Sequence, residues 1–205
     1  MVRNIAIIAI VVAIGVLGGT WFVSRGEDDQ FAQCRAGAVA GGSAAIGGPF
    51  ELMDENGVAV TDKDVITEPS ILYFGYTFCP DVCPMDVSRN AEAVYVLDEK
   101  GISVKPVFIS IDPARDTPEA LRDFTDVMHP RMLGLTGTPA QVKSASQAYR
   151  TYYKKQNSDD PEYYLVDHST YSYLVLPEHG FVDFFKRDET PEQMADRIGC
   201  FIDNS

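Results

Sequence analysis

The sequence predicts an α/β domain, and three observations carry the prediction. Val104 to Ile111 is a near-continuous apolar run with β-branched residues, the mark of a strand buried on both faces. The pairs Thr117-Pro118, Thr138-Pro139 and Thr190-Pro191 each set a capping threonine before a proline, which is how a helix starts. Phe50 to Met53 and Val58 to Val60 flank Asp54-Glu55-Asn56-Gly57, and Asn-Gly is a strong hairpin former.

The chain has 205 residues, which suits one domain plus an appendage. Its hydrophobic content of 45% is enough for a real core. A formal net charge of −13 argues against nucleic acid as a partner, since a phosphate backbone would be repelled. Four cysteines are too few for a disulfide scaffold but enough for one functional pair and one structural pair.

Residues 1–4 form a short flank carrying Arg3. Ile5 to Val23 follows without a charge. About 19 such residues span a bilayer, and Trp21 and Phe22 suit its far interface. A cleaved signal peptide would have a shorter apolar core and an Ala-x-Ala-like site, so the run reads as an uncleaved anchor. Arg25 on the far side is diluted by Glu27, Asp28 and Asp29, and the expected orientation is N-terminus inside, domain outside the cytoplasm. Residues 24–48 read as a tether, charged at first and then rich in Gly and Ala. Cys34 sits in it. The globular part is expected over 49–205.

Within that part, Ile71 to Tyr76 reads as a strand, followed by Cys79-Pro80-Asp81-Val82-Cys83-Pro84 and a helix from Met85 to Leu97, stopped at Gly101. Pro84 lacks an N–H and fits a first helical turn, so the cysteines are expected in a loop at a helix N-terminus. There the helix dipole and free N–H groups favour thiolate, which is both a redox nucleophile and a ligand for soft metals. The C-x-x-x-C spacing leaves metal binding, redox exchange and an inert disulfide clamp open. Further on, Thr117 opens a helix, Met132 to Leu135 is a short strand, and Thr138 opens a helix through about Tyr152. Residues 157–161 form an exposed loop. Tyr163 to Val166, Tyr171 to Leu176 and Phe181 to Phe185 read as strands, with a turn over 177–180, and Thr190 opens the last helix. Parallel crossovers, then an antiparallel hairpin and a closing helix, describe a thioredoxin-like fold with an N-terminal β-hairpin and an insertion before the loop that bears His168.

Of three histidines, His129 precedes Pro130 at a helix end, where capping or solvation accounts for it, and His179 lies in a hairpin turn. His168, in Val166-Asp167-His168-Ser169, falls in a loop that such a sheet brings near the cysteines. Beside C-x-x-x-C, a metal-binding role outweighs a backbone-bonded loop histidine.

At these residues the chain resembles the Sco/SenC family of membrane-anchored copper-binding proteins. Tyr73 to Pro84, the run Phe108 to Pro113 with Asp116-Thr117-Pro118, and Asp167-His168-Ser169 carry the resemblance. It implies a copper site made by Cys79, Cys83 and His168, and a role in assembling the dinuclear copper centre of cytochrome c oxidase. The partners it implies are a copper donor protein and the oxidase subunit that receives the metal. Two thiolates suit Cu(I), and an imidazole adds affinity for Cu(II). Asp167 is expected to orient the imidazole and Asp81 to tune the site; for Asp81, plain solvation is an equal alternative. Asp112 and Asp116 read as turn and cap residues. In an oxidising compartment the leftover pair, Cys34 and Cys200, is expected to form a structural disulfide.

The alternatives are a thiol-disulfide oxidoreductase acting on the oxidase subunit's cysteines, and a copper or redox sensor. His168 separates the first from a metallation factor, because dithiol exchange does not require it. The anchor reading predicts that the native protein is recovered with the inner membrane, its domain on the periplasmic or an equivalent side, and keeps its N-terminus. A soluble form starting near Gly26, found by N-terminal sequencing, would overturn it.

Overall fold

The structure is a computed structural model that describes residues 15, 30–35, 45–160 and 162–205. Apart from Gly15, the expected anchor over Ile5 to Val23 lies outside the described residues, as do tether positions 24–29 and 36–44. Among the described residues no helix is long and apolar enough to cross a membrane. Met1–Gln33 and Cys34–Ser205 are two separate compact units; the second carries the fold described below.

A hairpin opens the domain. β1 (Glu51–Asp54) pairs antiparallel with β2 (Ala59–Thr61). Asp54 fixes the turn by accepting from the N–H groups of Asn56 and Val58, and Gly57 takes the positive φ of 77° the turn requires. A single helical turn, α1 (Asp62–Val65), follows under a Thr61/Asp64 capping box. β3 (Ser70–Gly75) is buried at every position and leads through the cysteines into α2 (Val82–Glu99). β4 (Lys105–Ser110), α3 (Pro118–Met128), β5 (Leu133–Thr136) and α4 (Pro139–Ala148) complete the crossover half. Thr117 and Thr138 accept from Ala120 and Gln141 N–H groups as their caps. β6 (Tyr153–Lys155), β7 (Val166–His168), β8 (Ser172–Leu176), β9 (Gly180–Phe185) and α5 (Pro191–Asp203) end the chain.

The main sheet has the order β2-β1-β5-β4-β3-β8-β9. β3, β4 and β5 are parallel and central, and the outer strands join antiparallel. Alternation along β3 serves two cores at once. Tyr73 reaches Asp86 of α2 on one face, and the Phe74 ring meets Tyr149, just past α4, at 5.5 Å on the other. α2 packs against α5 and β4. The antiparallel hairpin β8–β9 and the closing helix follow the crossovers as expected.

Three expectations are corrected. The helix bearing the cysteine motif starts at Val82, so Cys83 and Pro84 lie inside its first turn and only Cys79 is in the loop. The helix opened by Thr138 ends at Ala148. Arg150 takes a left-handed φ of 51°, its N–H returns to the Gln147 carbonyl, and the chain leaves as β6. The strand expected over Tyr163 to Val166 keeps its in–out alternation, but the ladder runs over Val166–His168 in a separate sheet with β6. His168 therefore ends a strand, paired with Tyr153, instead of lying in a loop.

Cys34 and Cys200 are joined by a disulfide across 166 positions, with Cα atoms 5.6 Å apart. It ties the segment before the domain to α5, and Arg35 adds a hydrogen bond to the Val182 carbonyl on edge strand β9. Replacing both cysteines by serine is expected to lower the unfolding free energy by up to about 4–5 kcal/mol, the chain-entropy value for so large a loop. Urea denaturation measures it. A loss under about 1 kcal/mol would show that the crosslink hardly constrains the unfolded chain.

Candidate metal centre

The site grows from the turn between β3 and α2. Gly75 ends β3 with no side chain, and that absence is used. A Cβ there would lie 2.9 Å from Cys83 Sγ, 2.8 Å from a ring carbon of Tyr73 and 3.0 Å from the ring of Phe108. The space a side chain would take is thus filled by a sulfur and two aromatic edges. The following loop is tied to the end of β4 by Asp116. Its carboxylate accepts from the Thr77 N–H at 3.1 Å, the Thr77 hydroxyl at 2.6 Å and the Ser110 hydroxyl at 2.6 Å. Burial pushes the Asp116 carboxyl up, while these three bonds hold its anion.

Cys79, Cys83 and His168 converge, their ligand atoms all within 4.8 Å of one another. Cys83 is fully buried, whereas Cys79 is at the boundary with solvent, 9% exposed. The Cys83 N–H, at the first turn of α2, donates to Cys79 Sγ at 3.5 Å. His168 Nε2 stands 3.3 Å from Cys83 Sγ, and Nδ1 is 2.8 Å from the Ser169 carbonyl. A carbonyl only accepts, so Nδ1 carries the ring proton and Nε2 turns its lone pair to the sulfurs, the form a metal needs. The imidazole is held edge-on between Tyr73 and Tyr76, with ring centres 6.2 and 5.8 Å away.

The two thiols are not equivalent. Cys79 is pulled well below the usual thiol range, chiefly by the hydrogen bond from Cys83, with the backbone N–H groups of Asp81 and Cys83 adding to it. Cys83 is pushed up, first by its bond to the Cys79 thiolate and then by burial. The reduced pair thus favours a thiolate at Cys79, near the boundary with solvent, and a thiol at Cys83 beneath it.

The auxiliary carboxylates behave differently from expectation. Asp167 does not orient the imidazole: it accepts from the Gln156 side chain at 2.7 Å, and the Ser169 carbonyl holds the ring instead. Neighbouring strand residues point to opposite faces, so Asp167 turns away from the site. Asp81 is exposed at the N-cap of α2, where it makes no side-chain cap bond; its backbone N–H is what reaches Cys79. His129 is buried, not solvated: its Nδ1 accepts from the Arg131 N–H and its ring lies 4.5 Å from that of Tyr95. Asp112 does more than turn the chain. It accepts from Arg115 at 2.6 Å and from the Tyr164 hydroxyl at 2.6 Å, and Arg115 stacks on Tyr164 with 3.6 Å to the ring centre. Arg115 carried no signal in the sequence, and Tyr73 and Tyr76 stood out only within the run Tyr73 to Pro84, with no role of their own assigned.

Residues 39–203 match the family model described as SCO1/SenC. "Protein SenC" of Rhodobacter capsulatus is 56% identical over 195 residues, covering 95% of this chain and 87% of its own length. Among solved structures, Arabidopsis thaliana ScoI with copper bound superposes with a TM-score of 0.73 at 41% identity, covering 78% of this chain and 99% of that one. Yeast Sco1 with copper bound gives 0.74 at 39% identity, with 78% and 90% covered.

The asymmetry of the pair predicts an order of reaction. With iodoacetamide at about pH 6, below the usual thiol range, Cys79 is expected to be alkylated and Cys83 spared. Peptide mass mapping reads the result, and equal labelling of both would contradict the assigned thiolate.

Proposed function

We infer that this chain, which belongs to the SCO1/SenC family over residues 39–203, binds copper as cargo through Cys79, Cys83 and His168 and passes it to the copper-receiving subunit of cytochrome c oxidase. The observation that carries this is the convergence of two sulfurs and an imidazole nitrogen within 4.8 Å, with the nitrogen lone pair already facing the sulfurs. Two thiolates satisfy Cu(I). The imidazole adds the nitrogen that Cu(II) prefers, so one site accepts both states. Solved relatives at 39–41% identity hold copper.

Placement follows the same reading. Ile5 to Val23 anchors the protein in the inner membrane, and the domain works on the periplasmic or an equivalent side, where a copper donor protein loads it. Cys79, at the solvent boundary, is where incoming and outgoing metal is exchanged, because Cys83 is closed off.

A second reading is favoured by the unequal thiols. A thiolate at the solvent boundary beside a fully buried partner is the arrangement of an attacking and a resolving cysteine, so the same pair supports thiol-disulfide exchange on the oxidase subunit.

Copper titration of the reduced full-length chain separates the two. One copper per chain is expected, with a thiolate-to-Cu(II) charge-transfer band that Cys79→Ala or Cys83→Ala removes. His168→Ala is expected to weaken Cu(II) at least about tenfold more than Cu(I), since two thiolates alone hold Cu(I). Undiminished Cu(II) binding in His168→Ala would remove the histidine from the site. Disulfide reduction that survives His168→Ala, without copper binding, would leave the exchange reading.

A further inference from the structure

One arginine joins the turn that carries the cysteines to the segment that carries His168. Arg115 lies between β4 and α3, with its side chain 15% exposed. Its Nε donates to an Asp112 carboxylate oxygen at 2.6 Å, and Nη1 donates to the Glu162 carbonyl at 3.1 Å. Nη2 is buried and has no hydrogen-bond partner. Aromatic faces surround the cation instead. Its central carbon stands 3.6 Å from the ring centre of Tyr164, 4.8 Å from that of Phe78 and 5.6 Å from that of Tyr76. All three are within cation–π reach, and a planar guanidinium stacks where an ammonium would not.

These contacts come from separate parts of the chain. Tyr76 and Phe78 belong to the turn between β3 and α2, while Glu162 and Tyr164 lead into β7. Tyr164 is fixed from two more directions. Its hydroxyl donates to the other Asp112 oxygen at 2.6 Å, and Lys155 Nζ of β6 lies 3.4 Å from its ring centre. Two cations that close to one ring cannot share a face, so Arg115 and Lys155 sandwich it. Lys155 is also the ladder partner of Val166, whose N–H donates to the Tyr76 hydroxyl at 3.2 Å.

The consequence reaches the imidazole. Val166 and His168 are two positions apart on one strand and share a face, so what holds Val166 also aims His168. Among the described residues the ribbon shares no ladder with the main sheet, and backbone pairing therefore does not set its place against the sulfurs. Side chains do, and Arg115 is where they meet. We propose that Arg115 is a positioning residue of the copper site: by stacking Tyr164 against the cysteine turn it fixes the ribbon relative to Cys79 and Cys83 and so sets the reach of His168. Its effect passes through the imidazole, and falls on the oxidation state that needs a nitrogen ligand. The proposal rests on the copper reading above.

The test is copper titration of the full-length chain, with Cu(I) and Cu(II) affinities read separately by chelator competition and Cu(II) also by its thiolate band. Arg115→Ala is expected to weaken Cu(II) about tenfold and to leave Cu(I) within about twofold. That variant strands the buried Asp112 carboxylate. Tyr164→Leu keeps the ion pair and removes the ring; it is expected to show the same split, and carries the test should Arg115→Ala not fold. Tyr164→Phe, which restores the ring without the hydroxyl, is expected to recover most of the Cu(II) affinity that Tyr164→Leu loses. In a His168→Ala background Tyr164→Leu is expected to cost nothing further, because the nitrogen it places is gone. Equal losses for Cu(I) and Cu(II), wild-type Cu(II) binding in Tyr164→Leu, or a loss that persists in full without His168 would reduce Arg115 to a structural role and overturn the proposal. A wild type that shows no thiolate-copper band would instead remove the copper reading itself.

Discussion

Cys83 can occupy the core because Gly75 has no side chain. The strand end, the sulfur and the rings of Tyr73 and Phe108 close on one point, where an added methyl would fall within 3.0 Å of three neighbours. Native cores are packed to the density of organic crystals, so no alternative position exists for the sulfur without moving a ring or the backbone. Much else follows from that close approach. The first turn of α2 is brought against β3, its N–H groups face Cys79, and the imidazole of His168 finds Cys83 as its neighbour. Asp116 holds the loop from the other side, through Thr77 and Ser110, so the turn is clamped between two parallel strands.

The parts of this arrangement that depend on local chemistry were legible in the sequence. Thr-Pro pairs start three helices because a hydroxyl and a missing N–H act within four residues. Asn56-Gly57 turns a hairpin, and the apolar run at Val104 is a central strand, for equally local reasons. The trio Cys79, Cys83 and His168 was reached through motif and residue type. What sequence did not show depends on contacts made at long range. Asp116 looks like part of a turn, and only the parallel register of Gly75 with Ser110 puts it on the cysteine loop. Asp167 sits beside the histidine in the chain, yet strand alternation sends it to the other face, and a backbone carbonyl does its expected work. The role of the Ser169 carbonyl was not legible, because any residue supplies a carbonyl.

Charge inside the site is graded by depth. The buried sulfur keeps its proton, and the one at the boundary loses it, with helix N–H groups and a neighbouring thiol supplying the difference. A ring of aromatic side chains surrounds this pair. Tyr73 and Tyr76 wall the imidazole, and Phe78, half exposed, meets the Tyr163 ring at 5.9 Å above the loop. The cysteines thus sit in a buried, polarised setting in which Cys79 is the sulfur nearer to solvent. Such surroundings strengthen electrostatic interactions that water would otherwise screen.

The third candidate ligand is mounted unlike the other two. Cys79 and Cys83 belong to the junction of a central strand and a long helix, deep in the seven-stranded sheet. His168 ends a strand of three residues whose partner also has three, in a ribbon outside that sheet. Two-stranded ribbons are only marginally stable alone, and such peripheral units open at a small fraction of the free energy of global unfolding. Thermodynamic affinity and kinetic lability are thereby uncoupled. On the copper reading, the imidazole would contribute fully to holding its cargo while the ribbon is zipped, and fraying of a few hydrogen bonds would take it away while the two sulfurs and the fold stay in place.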